Sequence, residues 1–507
     1  MKIVILGGGT AGWLAAMYCA RFNFATKTPN EIVVIESSKI PTIGAGEGST
    51  GILRKVTDHY FSHWGINELD FLNNTEATLK LGINLKDWNG VGTQFYSPID
   101  PTNTHMGSVD SELLIAHVMG TYSDASPSGY LMGKGYSTYN ANKKDTTGGH
   151  SYHFDAHKVG QYFKGYALKH GVKCVDAEVN QLNRNSINGE LDSVETTIGK
   201  IDADFWIDCS GMARVLIKPM GGDFVSYKEY LPTNGAIPYI HEFEKGQSVR
   251  METLAWAQKN GWMWQIPTQK RYGCGYVYSD MFTTYDKAVD ELRKTTGRKI
   301  EPLRDLKFDV GRCKNVWVKN VVAVGLSAGF IEPLEATSIH STIIQLDLLL
   351  SNTLNFSVKK EDIMFQSNID HYNRFVAKLF DDVKDLIQLH YMTDREDTEF
   401  WKYCKYGLKR TDKVREILEM CKYRSPSTMD FDMYHGTANW GVWCWTLMGL
   451  GHISKDVAQN TLNGYRHPSN NIQKKFEEIN HRNMINSIKC MNSDDFMNAL
   501  INKKLGK

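Results

Sequence analysis

Three glycines in the spacing Gly7-x-Gly9-x-x-Gly12 follow the β-favouring run Ile3 to Leu6 and precede the helix-compatible run Ala15 to Tyr18. In such a turn the first glycine allows the bend, the second lets the backbone approach a pyrophosphate, and the third lets helix and strand pack closely. The anion then lies at a helix N-terminus, where free N–H groups and the helix dipole both favour it. A second strand-like run, EIVVIE, ends at Glu36, 24 positions after Gly12 and within reach of a ribose. Glu332 and Glu335, three apart in GFIEPLEATSI, are carboxylates able to move protons, or simply to sit at a helix start where the dipole favours negative charge. Lys80, between Leu79 and Leu81, reads by residue type as one solvated lysine among many. His153 and His157, four apart, would share one helical face, but no third ligand is suggested, so a helix entrance is expected there and no metal site.

The elements that must carry these residues can be placed coarsely. The opening strand, glycine turn, helix and second strand form a β-α-β unit. DADFWIDCSG, ending at Gly211, and NVVAVGLSAGFIEPLEATSIH, ending at His340, each look like a buried strand returning to a turn of small residues. Repeated returns to one nucleotide site suit a long cofactor and favour FAD over a nicotinamide. The fold expected is therefore α/β, a Rossmann-like FAD-binding domain over residues 1–350 with an inserted sheet at about 221–305. A helical region, 351–507, follows, with apolar residues at helical spacing. In GWMWQIP, Trp262 and Trp264 are expected to point to opposite faces of a strand, with Pro267 ending it or holding it at an edge. Trp440 and Trp443 read equally well as an aromatic substrate wall or as core at helical spacing.

Composition bounds the function. The chain has 507 residues, 42% hydrophobic and 23% charged, with a net charge of +1, so no global field for nucleic acid or an anionic membrane exists. Nine cysteines without a C-x-x-C pair argue for reduced thiols in a cytoplasmic setting and against a zinc site. The glycine run interrupts what would otherwise resemble a secretory signal, and no apolar run approaches the roughly 20 residues of a membrane span.

Six segments together resemble the flavin-dependent halogenases of the tryptophan halogenase type. They are GGGTAGW at 7–13, IGAGEGST at 43–50, TLKLGI at 78–83, GWMWQIP at 261–267, GFIEPLEATSI at 329–339 and LHYMTDREDTEFW at 389–401. The resemblance implies FAD contacts from Gly7, Gly9, Thr10, Ala11, Gly12 and Glu36, from Ala45, Gly46 and Glu47 in a second loop, and from Gly325 and Leu334. It implies that Lys80 relays halogen, that Glu335 orients the electrophile or takes the ring proton, and that Thr337 and Ser338 bind halide. Ser338 stands where many tryptophan-specific members carry glycine, which leaves the choice among chloride, bromide and iodide open. Trp262, Trp264 and Pro267 would form a wall between flavin and substrate, which selects halide oxidation over direct hydroxylation.

The activity implied is a two-component halogenase that takes reduced FAD from a separate flavin reductase and acts on a small electron-rich, indole-like aromatic. The alternatives are a single-component FAD monooxygenase that hydroxylates an aromatic, and a silent FAD-binding scaffold, which Lys80 and Glu335 argue against. A homo-oligomer is compatible with the sequence.

Overall fold

The computed structural model describes residues 1–26, 30–40, 44, 46–99, 110–147, 149–244, 246–353, 364–431, 440–464 and 471–505. Its first layer is a six-stranded sheet in the spatial order Lys173–Asp176, Glu31–Glu36, Lys2–Leu6, Phe205–Asp208, Val321–Ala323, Trp317–Val318. All neighbours pair in parallel except the last. Such strands are covered on both faces and so read as unbroken apolar runs. Ile3 to Ile5 and Phe205 to Ile207 are accordingly buried. The central Lys2–Leu6 strand has one neighbour from early in the chain, Glu31–Glu36, and another from much later, Phe205–Asp208. The strand order thus reverses there, where open α/β sheets bind ligands beyond their carboxyl ends.

A small three-stranded sheet joins Glu47–Gly48, Ser151–Phe154 and Thr78–Lys80. After Leu81 alone, Gly82–Lys86 enters a seven-stranded sheet ordered Leu306–Lys307, Gly235–Glu242, Arg271–Tyr278, Gly261–Pro267, Glu252–Gln258, Gly82–Lys86, Gln94–Pro98. This sheet is not confined to 221–305, because Gly82–Lys86 runs parallel to Glu252–Gln258 and brings Gln94–Pro98 with it. Gly261–Pro267 is an interior strand, so Pro267 ends it and does not mark an edge. The rings of Trp262 and Trp264 lie 6.2 Å apart. That corrects the expectation of opposite faces, since a strand returns to the same face every second residue.

Beyond Phe330 the named elements of the described residues are all helical, beginning with Thr337–Asp347 and including the 25-residue Gln366–His390. The described cysteines are all free, and no helix among the described residues is long and apolar enough to cross a membrane.

Candidate active site

Three loops converge beyond the carboxyl ends of adjacent strands: Gly7 to Gly12, Cys209 to Gly211, and Gly325 to Ser327. Side chains at Gly7 and Gly12 would overlap the Cys209 and Gly7 carbonyl oxygens, so both positions are closed by the protein itself. Gly9 differs, because a Cβ there would meet no protein atom within 4 Å. Of the three fingerprint glycines, only Gly9 therefore has room beside it, where a pyrophosphate would approach. Thr10 Oγ1 donates to the Ala156 carbonyl at 3.0 Å. Ala11 packs under Gly325, whose φ of +69° suits glycine and where an added Cβ would lie 3.0 Å from that of Ala11. Asp208, which sequence reasoning passed over, ties the loops together. It is buried and accepts from Ser210 N at 2.9 Å, Leu216 N at 2.9 Å, Ile217 N at 2.8 Å and Ser327 Oγ at 3.2 Å.

Glu36 stands at the end of its strand beside Gly8. Its carboxylate is held by Trp13 Nε1 at 3.2 Å and by Lys164. Gly46, at φ +120°, packs directly on the backbone of Gly273. Neighbouring Glu47 has its carboxyl pushed up to about 7, by desolvation first and by Asp155 second. Ala45 lies outside the described residues.

Lys80 ends the small sheet opposite Ser151, at the seam with the tryptophan-bearing sheet. Only 1% of it is exposed. Desolvation lowers its ammonium from 10.5 to about 8 against the opposing pull of Glu335. Its Nζ lies 3.2 Å from where a Cβ on Gly48 would stand, and the Ala336 methyl is 3.5 Å from the same point. Lys80 therefore borders both the second glycine loop and the residue after Glu335. His153, also buried, is paired by Nε2 with Thr253 Oγ1 at 2.8 Å. Burial, and then Lys80, hold it well below its usual range, so it adds no second cation. It lies in the Ser151–Phe154 strand while His157 lies in the Ala156–Lys169 helix. The two do not share a helical face as their spacing suggested, and no cluster of metal-ligating residues occurs among the described residues.

The two glutamates occupy different surroundings. Glu335 Oε1 meets His390 Nε2 at 2.9 Å. Glu332 is fully buried, and its Oε2 accepts from Thr233 Oγ1 at 2.7 Å, Tyr391 OH at 2.8 Å and Trp262 Nε1 at 3.0 Å. Burial pushes the Glu332 carboxyl up, against those three donors. Glu332 thus fixes the indole of Trp262 within an aromatic cluster. Trp88 lies 6.4 Å from Trp262, 5.7 Å from Tyr391, 5.8 Å from Trp401 and 5.9 Å from His390, centre to centre. Trp264 lies over Gly275 of the next strand, where any side chain would overlap its ring. The Pro267 carbonyl accepts from Thr78 Oγ1 at 2.8 Å, tying this strand to the one that bears Lys80.

The Thr337–Asp347 helix starts from Ala336, a non-glycine residue at φ +55° with no side-chain cap. The first-turn N–H groups at Thr337 and Ser338 are thus uncapped, an arrangement suited to an anion. Leu334 and Thr337 are buried just before and at this start. Trp440 and Trp443 are fully buried in the Trp440–Gly449 helix, with Trp440 Nε1 donating to the Pro426 carbonyl and Trp443 against Phe431.

The family model for tryptophan halogenases matches residues 2–462. The chain belongs to the tryptophan halogenase family. It is 31% identical to tryptophan 7-halogenase RebH of Lentzea aerocolonigenes over 464 residues, 86% of this chain and 85% of that one. It is 30% identical to tryptophan 6-halogenase SttH of Streptomyces toxytricini over 490 residues, 89% and 90% of the two chains. Xcc4156, a flavin-dependent halogenase from Xanthomonas campestris, superposes with a TM-score of 0.85 at 26% identity over 98% of each chain. The protein is a flavin-dependent halogenase, an oxidoreductase-type enzyme that uses FAD and halide.

Of the residues expected to do chemistry, Lys80 and Glu335 come within electrostatic reach of each other at the sheet seam, and Trp262 stands in the adjoining sheet. His390, Trp88, Tyr391 and Asp208 were missed. His390 and Tyr391 lie inside the LHYMTDREDTEFW segment, whereas Trp88 carries no sequence signal.

Proposed function

We propose that this halogenase relays hypohalous acid past Lys80 to an electron-rich, indole-like aromatic, under the control of Glu335. The reading is carried by one observation: Lys80 is buried at the seam between the sheet of the second glycine loop and the sheet of the tryptophans. Reduced FAD, delivered by a separate reductase, supplies the electrons that let dioxygen oxidise halide to hypohalous acid. The Gly7–Gly12 turn and Gly325 would hold the cofactor, and Gly9 leaves the gap it needs. The uncapped N–H groups of Thr337 and Ser338 would hold halide. Trp262, fixed by Glu332, keeps the organic substrate and bulk water from the flavin side. Lys80 is mostly ammonium at pH 7, below its value of about 8, and donates a hydrogen bond that holds and polarises the acid. Glu335 takes the proton that the ring releases. Residues 1–350 are the cofactor-binding unit in this reading, and 351–507 cover the substrate.

The test supplies enzymatically reduced FAD, oxygen and each halide to the enzyme with L-tryptophan, indole or a phenol, followed by mass spectrometry. Halogenated indole or tryptophan is expected. Flavin bleaching by NADPH without a reductase, together with hydroxylated product, would replace this reading with a single-component monooxygenase.

A further inference from the structure

We infer that His390 and Glu335 work as one proton-holding pair, in which His390 keeps the shared proton on its ring so that Glu335 meets the substrate as a carboxylate. The inference rests on the halogenase reading and adds a positioning residue to it. His390 is fully buried at the last position of the Gln366–His390 helix. Its Nδ1 lies 2.9 Å from the Leu386 carbonyl, and its Nε2 lies 2.9 Å from Glu335 Oε1. A carbonyl oxygen can only accept, so Nδ1 carries a hydrogen. A bare Nε2 lone pair would repel a carboxylate at this distance, so a second proton lies between Nε2 and Oε1. The partial negative charge at the helix C-terminus suits a proton-bearing ring. Glu335 makes no other ion pair among the described residues, and Lys80 influences it only from beyond contact.

Halogen passes from the oxygen of hypohalous acid to a ring carbon, forming C–X from a ring π pair, while the O–X electrons stay on oxygen as hydroxide. The ring C–H bond then breaks, its electrons restore the π system, and its proton is taken by Glu335 Oε2. That proton passes to hydroxide, giving water, so the pair ends with the one shared proton it began with. With the shared proton held on the His390 ring side of the contact, Glu335 Oε2 keeps its lone pairs free for the ring proton.

The titratable groups around the pair are Lys80, Glu332 and Tyr391, with His153 beside Lys80 and Cys404 beside Glu332 and Tyr391. The test measures pH–rate profiles for halogenation of indole and L-tryptophan by wild type, His390→Gln and His390→Phe, with FAD binding as the check on folding. The glutamine keeps a donor to Oε1 but no charge. We expect its acid limb to move up by about one pH unit, so that the loss is roughly tenfold on the acid side of the wild-type limb and shrinks as pH rises. The phenylalanine removes the donor as well and should be about a hundredfold slower, the usual loss for a positioned acid or base. Wild type with ring-deuterated indole gives a reading independent of variant folding, because its isotope effect should grow on the acid limb. A merely packed histidine would leave the acid limb of His390→Gln in place, which overturns the pair, and an isotope effect flat with pH would remove Glu335 as the group that takes the ring proton and the pair with it. A wild type that halogenates neither substrate removes the halogenase reading itself, and the pair falls with it. Normal product with unmoved variants overturns the pair alone.

Discussion

Replacing Lys80 with methionine should make the enzyme more stable at neutral pH while abolishing its product. The buried ammonium is lowered from 10.5 to about 8 by desolvation, and that value already contains the attraction of Glu335. At roughly 1.4 kcal/mol per pH unit, holding the charged form in the folded protein costs about 3 kcal/mol. The cost is complete below pH 8, where both folded and unfolded chains are protonated. Between pH 8 and 10.5 the unfolded chain binds more proton than the folded one, so wild-type stability rises with pH; above 10.5 the cost is gone. Methionine keeps the length and packing of the stem without the charge. Its melting midpoint should therefore lie above that of wild type at pH 7, and the gap should close towards pH 10.5. Large chains often unfold irreversibly, so the midpoints are compared at a single scan rate. The same variant should bind FAD and oxidise the reduced cofactor supplied to it, yet yield almost no halogenated product. Equal midpoints at pH 7 would refute the buried ammonium, and wild-type product levels would refute its role.

Gly9→Val should remain folded, because no protein atom crowds that position, yet should fail to quench flavin fluorescence. Gly12→Ala should instead lose thermal stability, since its methyl would overlap the Gly7 carbonyl. Glu335→Gln should slow ring halogenation by about a hundredfold with FAD binding intact, whereas Glu332→Gln should leave product yield near wild type and lower the melting midpoint, because an amide oxygen accepts from the three donors to Oε2 more weakly than a carboxylate. The reverse pattern in product yield would exchange the two glutamates. Ring halogenation should fall as pH rises through about 8, where Lys80 loses its donor proton, and a rate that rises there would assign the work to the neutral amine.

The opening strand, glycine turn and helix were legible in the sequence because their signals are local. A strand, a glycine turn and a helix occupy a few consecutive residues, and Gly9 differs from Gly7 and Gly12 by what each would touch. The return of Phe205–Asp208 and Val321–Ala323 to the same edge was visible for a similar reason: buried parallel strands are short apolar runs that end in small residues. The seam was not visible, because it is made by distant pairing. Nothing around Lys80 announces that one residue, Leu81, separates two sheets, or that Gly82–Lys86 pairs with Glu252–Gln258. Burial that turns an ordinary lysine into one at about 8 is likewise a property of the neighbours and not of the motif. Glu332 and Glu335 are three apart, yet one is turned into the tryptophan cluster and the other towards His390, 55 positions along the chain. The backbone after them contributes to the divergence, since Ala336, at φ +55°, ends the loop abruptly and begins a helix without a cap. A residue held in that conformation without glycine's freedom must be fixed by its surroundings. Here those surroundings include Gly48 and Lys80, since the Ala336 methyl and the Lys80 nitrogen both crowd the open side of Gly48. The turn that directs Glu335 to its partner therefore packs against the lysine strand and the second glycine loop. This physical coupling makes one constellation of segments that the sequence keeps far apart.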